Sequence, residues 1–252
     1  MPHPKRKTCK TVLINPDFSY ILRGEIMFAV VVVDENEKRK SKISEQQVGN
    51  VGIISVAPKT NTKKLKKVLQ KYNGEVILSK PCNFSEIKTF DTTPFKENLL
   101  FCDFADFVLS QSGYSLKIGI CDPYCHHLET LILPRLIAHA EETVICTGQN
   151  IDNLCEIWLK STGTCPFVTE NPSHLSDCDV CFAINGVATS GTLFGHSGRG
   201  IDQQKLIKKI PEQYSFLLNR QIDPAELLCM LENEKKYNVT DRRGRRSLQC
   251  DI

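Results

Sequence analysis

Leu116-Lys117-Ile118-Gly119-Ile120-Cys121-Asp122-Pro123 reads as a short apolar strand stopped by an Asp-Pro pair. An amphipathic segment follows from about Tyr124 to Glu141, and then a second strand, Thr143-Val144-Ile145-Cys146, which ends at Thr147-Gly148. Beyond it come a helical segment around Ile151 to Lys160, a short strand from Pro166 to Thr169, and another from Val180 to Ile184. Strands alternating with helical segments imply crossover connections, hence a parallel sheet with helices on its faces. The first strand starts roughly thirty residues before the second, the length of one βαβ unit. The reading is therefore an α/β chain. Residues 99–252 form a Rossmann-like domain with a C-terminal helix and basic tail, and residues 1–98 form a smaller α/β domain.

The smaller domain is read outward from its apolar runs. Thr11 to Ile14 is a strand broken by the turn signature Asn15-Pro16-Asp17. Met27 to Val33 is a β-branched strand ended by the polar Asp34-Glu35-Asn36-Glu37, and Val51 to Val56 is another, stopped at Ala57-Pro58. In the lysine-rich segment after it, Leu65, Val68, Leu69 and Tyr72 keep helical spacing, with Thr60 or Thr62 as N-cap and Asn73-Gly74 as the close. Glu75 to Leu78 returns as a strand, and Pro81 to Asn98 is connecting loop. Leu99 to Gln111, rich in Phe and closed by Ser112-Gly113, is a helix that packs between the two halves.

Composition narrows the class. The chain has 252 residues, 41% hydrophobic and 24% charged, as in an ordinary globular protein. No apolar run approaches the roughly 18 residues that would cross a bilayer, and no apolar region follows the charged N-terminus, so a cytoplasmic location is expected. The twelve cysteines are scattered and several sit inside apolar strands, which favours reduced, buried thiols in a reducing cell interior over a disulfide framework. A net charge of +3 does not point to nucleic acid. The basic clusters at Lys38 to Lys42, Lys59 to Lys67 and Arg242 to Arg246 read as solvated surface and tail.

Ligands of doubly wound folds sit outside the carboxyl ends of the strands, at the switch in strand order. The turn after the first strand is where a dinucleotide site carries glycines that let the backbone approach the pyrophosphate. Here Asp122 and Pro123 stand in that place, so NAD(P) as cofactor lacks its glycine fingerprint. The order of elements, with Asp177-Cys178-Asp179-Val180-Cys181-Phe182-Ala183-Ile184 as an aspartate followed by an apolar strand, resembles the nucleotide-binding domains of amino-acid and tetrapyrrole-pathway dehydrogenases. The resemblance spans about seventy residues, without the glycine fingerprint, and implies a nucleotide-binding type of fold, which many unrelated functions share.

Several residues carry candidate chemistry. Asp122 is placed to act as general base or ligand anchor, and equally to cap a helix whose first residue is Pro123. His126 is a second proton carrier beside it. Cys121, Cys125, His126 and His127 are of metal-ligand type, but the second pair, Cys178 and Cys181, lies three apart on a predicted strand and so faces opposite ways. Asn185 to Gly200 holds five glycines, four hydroxyl side chains, His196 and Arg199, which suit either an anion site or a turn-rich surface loop. Further on, Gln203 to Ile210 and Gln213 to Asn219 read as short helical pieces, and Asp223-Pro224-Ala225-Glu226 as a helix start whose Leu227, Leu228, Met230 and Leu231 dock on the sheet.

The sequence thus supports a small-molecule site for an anionic ligand or nucleotide. Asp122 and His126 are its catalytic candidates, and Asn150, Asn185, Gly186, Ser197 and Arg199 its ligand-binding ones. Two alternatives stay open: a non-catalytic regulatory or scaffold protein on a degenerate nucleotide fold, and a Cys/His metal-binding protein.

Overall fold

The computed structural model describes residues 28–35, 37, 42–72, 75–82, 84–111 and 115–243, with the side chains of 234–243 excepted. The strand expected at Thr11 to Ile14, the closing pairs Asn73-Gly74 and Ser112-Gly113, and the end of the arginine run lie outside these residues.

Two sheets are present among the described residues. The first has the order β2-β3-β1-β4, from β1 (Phe28–Val33), β2 (Ile43–Val48), β3 (Val51–Val56) and β4 (Val76–Leu78). β1 runs parallel to β3 and β4, and β2 pairs antiparallel with β3, Ile43 opposite Val56. β2 was not expected. It is an edge strand whose central residues, Ser44 to Gln47, are exposed, so it carries no apolar period.

Each face of the first sheet is covered. Ala29, Val31, Ile54 and Val56 pack under helix α1 (Thr62–Leu69) and the turn after it, through Leu65, Leu69 and Tyr72. The cap of α1 is Asn61, not a threonine: its side chain accepts the Lys63 amide at 2.8 Å, while the Thr60 hydroxyl donates to the Ala57 carbonyl. On the other face, Phe28, Val30, Val51, Ile53 and Ile77 meet Tyr214, Leu217, Leu227, Met230 and Leu231. The last three belong to α6 (Pro224–Arg243), so the last described helix packs on the sheet that holds the first described strand.

The second sheet is wholly parallel. Its strands are β5 (Lys117–Cys121), β6 (Glu142–Cys146), β7 (Phe167–Thr169), β8 (Val180–Ala183) and β9 (Thr192–Phe194), in the order β7-β6-β5-β8-β9. Counted from β5 this is the 3-2-1-4-5 order of a Rossmann-like sheet, with its switch between β5 and β8. β9 lies inside the segment read as a loop, where three apolar-to-hydroxyl residues gave too short a run to mark a strand.

Helix α2 (Thr93–Ser110) begins six residues earlier than its apolar run, because Pro94 fits a first helical turn. Leu100, Phe101, Phe104 and Val108 enter the core of the second sheet, with Ile118, Ile120 and Phe182. Phe95 and Leu99 pack toward Leu206, Ala225 and Leu228, of α5 (Gln203–Lys209) and α6. α2 therefore lies between the two layers, as its composition implied. No helix among the described residues is long and apolar enough to cross a membrane.

Candidate functional site

The switch between β5 and β8 holds a cavity of about 180 Å³. Its wall includes Asp122, Tyr124, His126 and His127 from the connection after β5, Phe182 and Asn185 from the end of β8, and Glu97 from α2.

The connection after β5 is not the helix that its pattern predicts. Residues 123–132 make successive turns, and only Leu133–His139 is helical, forming α3. Cys125 sits in the left-handed region at φ 59, which interrupts any helix there. Asp122 caps this wider turn instead of a helix. Its Oδ1 accepts the amide of His126 at 3.1 Å and its Oδ2 that of His127 at 2.7 Å. The Asp122 amide itself donates to the Cys146 carbonyl, which ties the turn to β6. In a dinucleotide fold such amides face the pyrophosphate. Here a buried carboxylate holds them.

His127 is 3% exposed. Its ring stacks on Phe101 with centroids 5.1 Å apart and meets the edge of Phe182 at the same separation. Its Nδ1 is buried without a hydrogen-bond partner among the described residues. Burial pulls the imidazole below its usual pKa, against the opposing pull of the Asp122 and Glu97 charges, so the ring is neutral. A neutral ring whose Nε2 carries the proton leaves Nδ1 as an acceptor. At the mouth, His126 stacks on Tyr124 at 5.6 Å, and Tyr124 is 71% exposed. Cys121 also lines the cavity, but burial, helped by Cys146 beside it, pushes its thiol up to about 12. It is no nucleophile at neutral pH.

Of the residues singled out in the sequence, the structure brings Asp122, His126 and Asn185 together. Asn150 faces elsewhere: its Oδ1 accepts the Asp152 amide at 3.0 Å at the start of α4 (Asp152–Thr162). Ser197 stands against Gly186, its Oγ 2.6 Å from where a Cβ on that glycine would lie. Arg199 lies over the rings of Phe107 and Phe194, at 5.1 and 5.5 Å, in a second cavity that also holds Asp103, Asp106 and Lys205. Glu97 had no signal in the sequence, since only the packing of α2 carries it to the site.

No protein-family model matches the chain, and no curated protein sequence matches it. Among solved structures it is similar to L-tryptophan dehydrogenase from Nostoc punctiforme, with 14% identity over 77% of this chain and 71% of that one and a TM-score of 0.31. It is also similar to dipicolinate synthase structures from two bacilli. For that of Bacillus halodurans the identity is 11%, with 86% of this chain and 82% of that one covered and a TM-score of 0.34. For that of Bacillus subtilis the values are 9%, 86%, 97% and 0.35. Scores this low carry no argument about function; the Rossmann-like assignment stands on strand order and register.

The metal-thiolate alternative is not supported by side-chain placement. Among the described residues no three His, Cys, Asp or Glu side chains gather into a set that would hold a metal ion. Cys178 and Cys181, expected on opposite faces, converge: β8 begins only at Val180, so Cys178 is free of the strand's alternation. None of the ten described cysteines is in a disulfide.

Proposed function

We propose that the protein binds a planar small molecule rich in hydrogen-bond donors, of the nucleobase or nucleoside class, at the β5/β8 switch point. The observation that carries this reading is the unpartnered Nδ1 of buried His127 in the wall of the cavity. A buried polar nitrogen without a partner costs free energy, and a ligand group hydrogen-bonded to it would relieve it; with the ring proton on Nε2 that group is an N–H or O–H. The Glu97 carboxylate and the Asn185 side chain add acceptors, and the Tyr124–His126 stack offers a flat aromatic shelf at the mouth. No Lys or Arg is among the described residues that line the cavity, so the anionic ligand expected from the sequence has no cation to meet it there. A reducing compartment such as the cytoplasm fits the free thiols.

The 3-2-1-4-5 strand order favours a second reading, a dinucleotide-dependent oxidoreductase. Against it stands the Asp122 carboxylate on the amides a pyrophosphate would use. Calorimetric titration and thermal shift with adenine, adenosine and NAD separate the readings, because a ligand bound only by the folded state raises the melting point by mass action. Binding of adenine or adenosine, lost in Glu97→Gln and Asn185→Ala variants with unchanged unliganded melting points, is the expected result. Binding of NAD alone would move the assignment to the oxidoreductase, and no binding across the panel would leave the scaffold reading.

A further inference from the structure

Gly119, in the middle of β5, makes room for two thiols. A Cβ on it would sit 2.8 Å from Cys181 Sγ and 3.1 Å from Cys178 Sγ, so both sulfurs share the notch that the missing side chain leaves. Both cysteines are fully buried. Cys181 Sγ donates weakly to the Leu175 carbonyl and to Thr189 Oγ1, each at 3.6 Å. The cover over the notch is the 187–191 segment of the β8–β9 connection, every residue of which is at least partly exposed. Three hydrogen bonds hold it down: the Thr189 hydroxyl to the Cys178 carbonyl at 3.1 Å, and the Ser190 amide and hydroxyl to the Ser176 carbonyl, both at 2.9 Å.

We propose that Cys178 and Cys181 are a peroxide-oxidisable dithiol, reached through the 187–191 cover and closed reversibly to a disulfide. This site is independent of the ligand reading. Cys181, having lost its proton, attacks one oxygen of hydrogen peroxide: an S–O bond forms, the O–O bond breaks, and the departing hydroxide takes up the proton to leave as water. Cys178 then attacks the Cys181 sulfur. The S–S bond forms, the S–O bond breaks, and the second hydroxide takes the Cys178 proton. Two thiols are oxidised and one peroxide is reduced to two waters. The hydrogen bond from Cys178 holds the Cys181 thiol below its usual range although burial opposes it, which marks Cys181 as the attacking sulfur. Once oxidised, Cys181 has no proton for Leu175 or Thr189, and the cover loses a contact.

The experiment treats the full chain with hydrogen peroxide, then denatures it, blocks the remaining thiols with N-ethylmaleimide and maps the peptides by mass. A Cys178–Cys181 disulfide that dithiothreitol reverses is expected, together with several-fold faster oxidation in Thr189→Ala, which loosens the cover. Full alkylation of both cysteines under conditions that have oxidised the exposed Cys102 and Cys165 would overturn the proposal. So would oxidation of Cys181 beyond the disulfide stage in the wild-type chain. An unchanged rate in Thr189→Ala would overturn the route through the cover.

Discussion

The carboxylate of Asp122 and the backbone amide of His127 meet at 2.7 Å, with the His126 amide on the other oxygen at 3.1 Å. This pairing fixes the turn that shapes one wall of the switch-point cavity, and it places a negative charge where a Rossmann-like fold otherwise receives one from its ligand. Asp122→Asn would turn a donor NH₂ toward one of the two amides. The expected loss is about 1–3 kcal/mol of stability, the cost of leaving a buried donor unsatisfied plus the lost charge assistance. Urea denaturation measures it, and an unchanged midpoint would remove Asp122 from the role of turn cap.

His127 makes acid stability a test of the site. In the unfolded chain a histidine titrates near 6.5. In the folded protein burial holds the ring below that value, so on acidification the unfolded state binds the proton first. Stability is then fully present above about pH 6.5 and declines as pH falls from there toward the folded value, by at most about 1.4 kcal/mol per pH unit for one proton. His127→Phe keeps a ring against Phe101 and removes the titration. The melting point of this variant should fall less steeply than that of the wild type between pH 7.5 and 5.5, and parallel slopes would show that folding does not shift the titration of His127.

Gly119 is a packing requirement rather than a turn residue. A methyl group there would lie 2.8 Å from both Cys181 Sγ and Leu175 Cδ2, inside a strand that cannot move away from its two neighbours. Overpacking of this kind costs about 1–3 kcal/mol. Gly119→Ala should therefore destabilise by that amount, and Cys181→Ala in the same chain should recover part of it. A double-mutant cycle without coupling would mean that the clash is relieved elsewhere.

The parts legible in the sequence were those in which local pattern and tertiary role coincide. β1, β3, β5, β6 and β8 are apolar runs buried in their sheets, and each was readable within a residue or so. β2 was not, since an edge strand with exposed Ser, Glu and Gln has no apolar face; its one signal was Gly49-Asn50, a two-residue hairpin link with Gly49 at φ 58. The segment after β5 kept an apolar spacing that suits a helix while Cys125 took a backbone conformation no spacing reveals. Of the cavity wall, Asp122, His126 and Asn185 were legible as residues at or after strand ends. Glu97 was not, because its position depends on how α2 packs. The same limit applies to α6: its apolar side was evident, but an amphipathic pattern does not name the sheet that it will cover.

That last contact makes the cooperativity of the two layers measurable. Asp223 caps α6, its Oδ1 accepting the amides of Ala225 at 2.8 Å and Glu226 at 3.3 Å. Lys96 of α2 reaches Glu226 Oε1 at 2.8 Å and Asp223 Oδ2 at 3.7 Å. α6 packs on the first sheet and α2 on the second, so the cap joins elements that serve different layers. Asp223→Ala should cost about 1–2 kcal/mol through the lost cap, and Lys96→Met, which loses only partly exposed ion pairs, less than about 1 kcal/mol. The single tryptophan, Trp158, is buried in the core of the second sheet and reports on that layer alone. If the layers unfold as one unit, Asp223→Ala shifts the Trp158 fluorescence transition and the far-ultraviolet dichroism transition equally. A dichroism shift with the fluorescence midpoint unmoved would show that the layers unfold separately and that α2 does not transmit the loss.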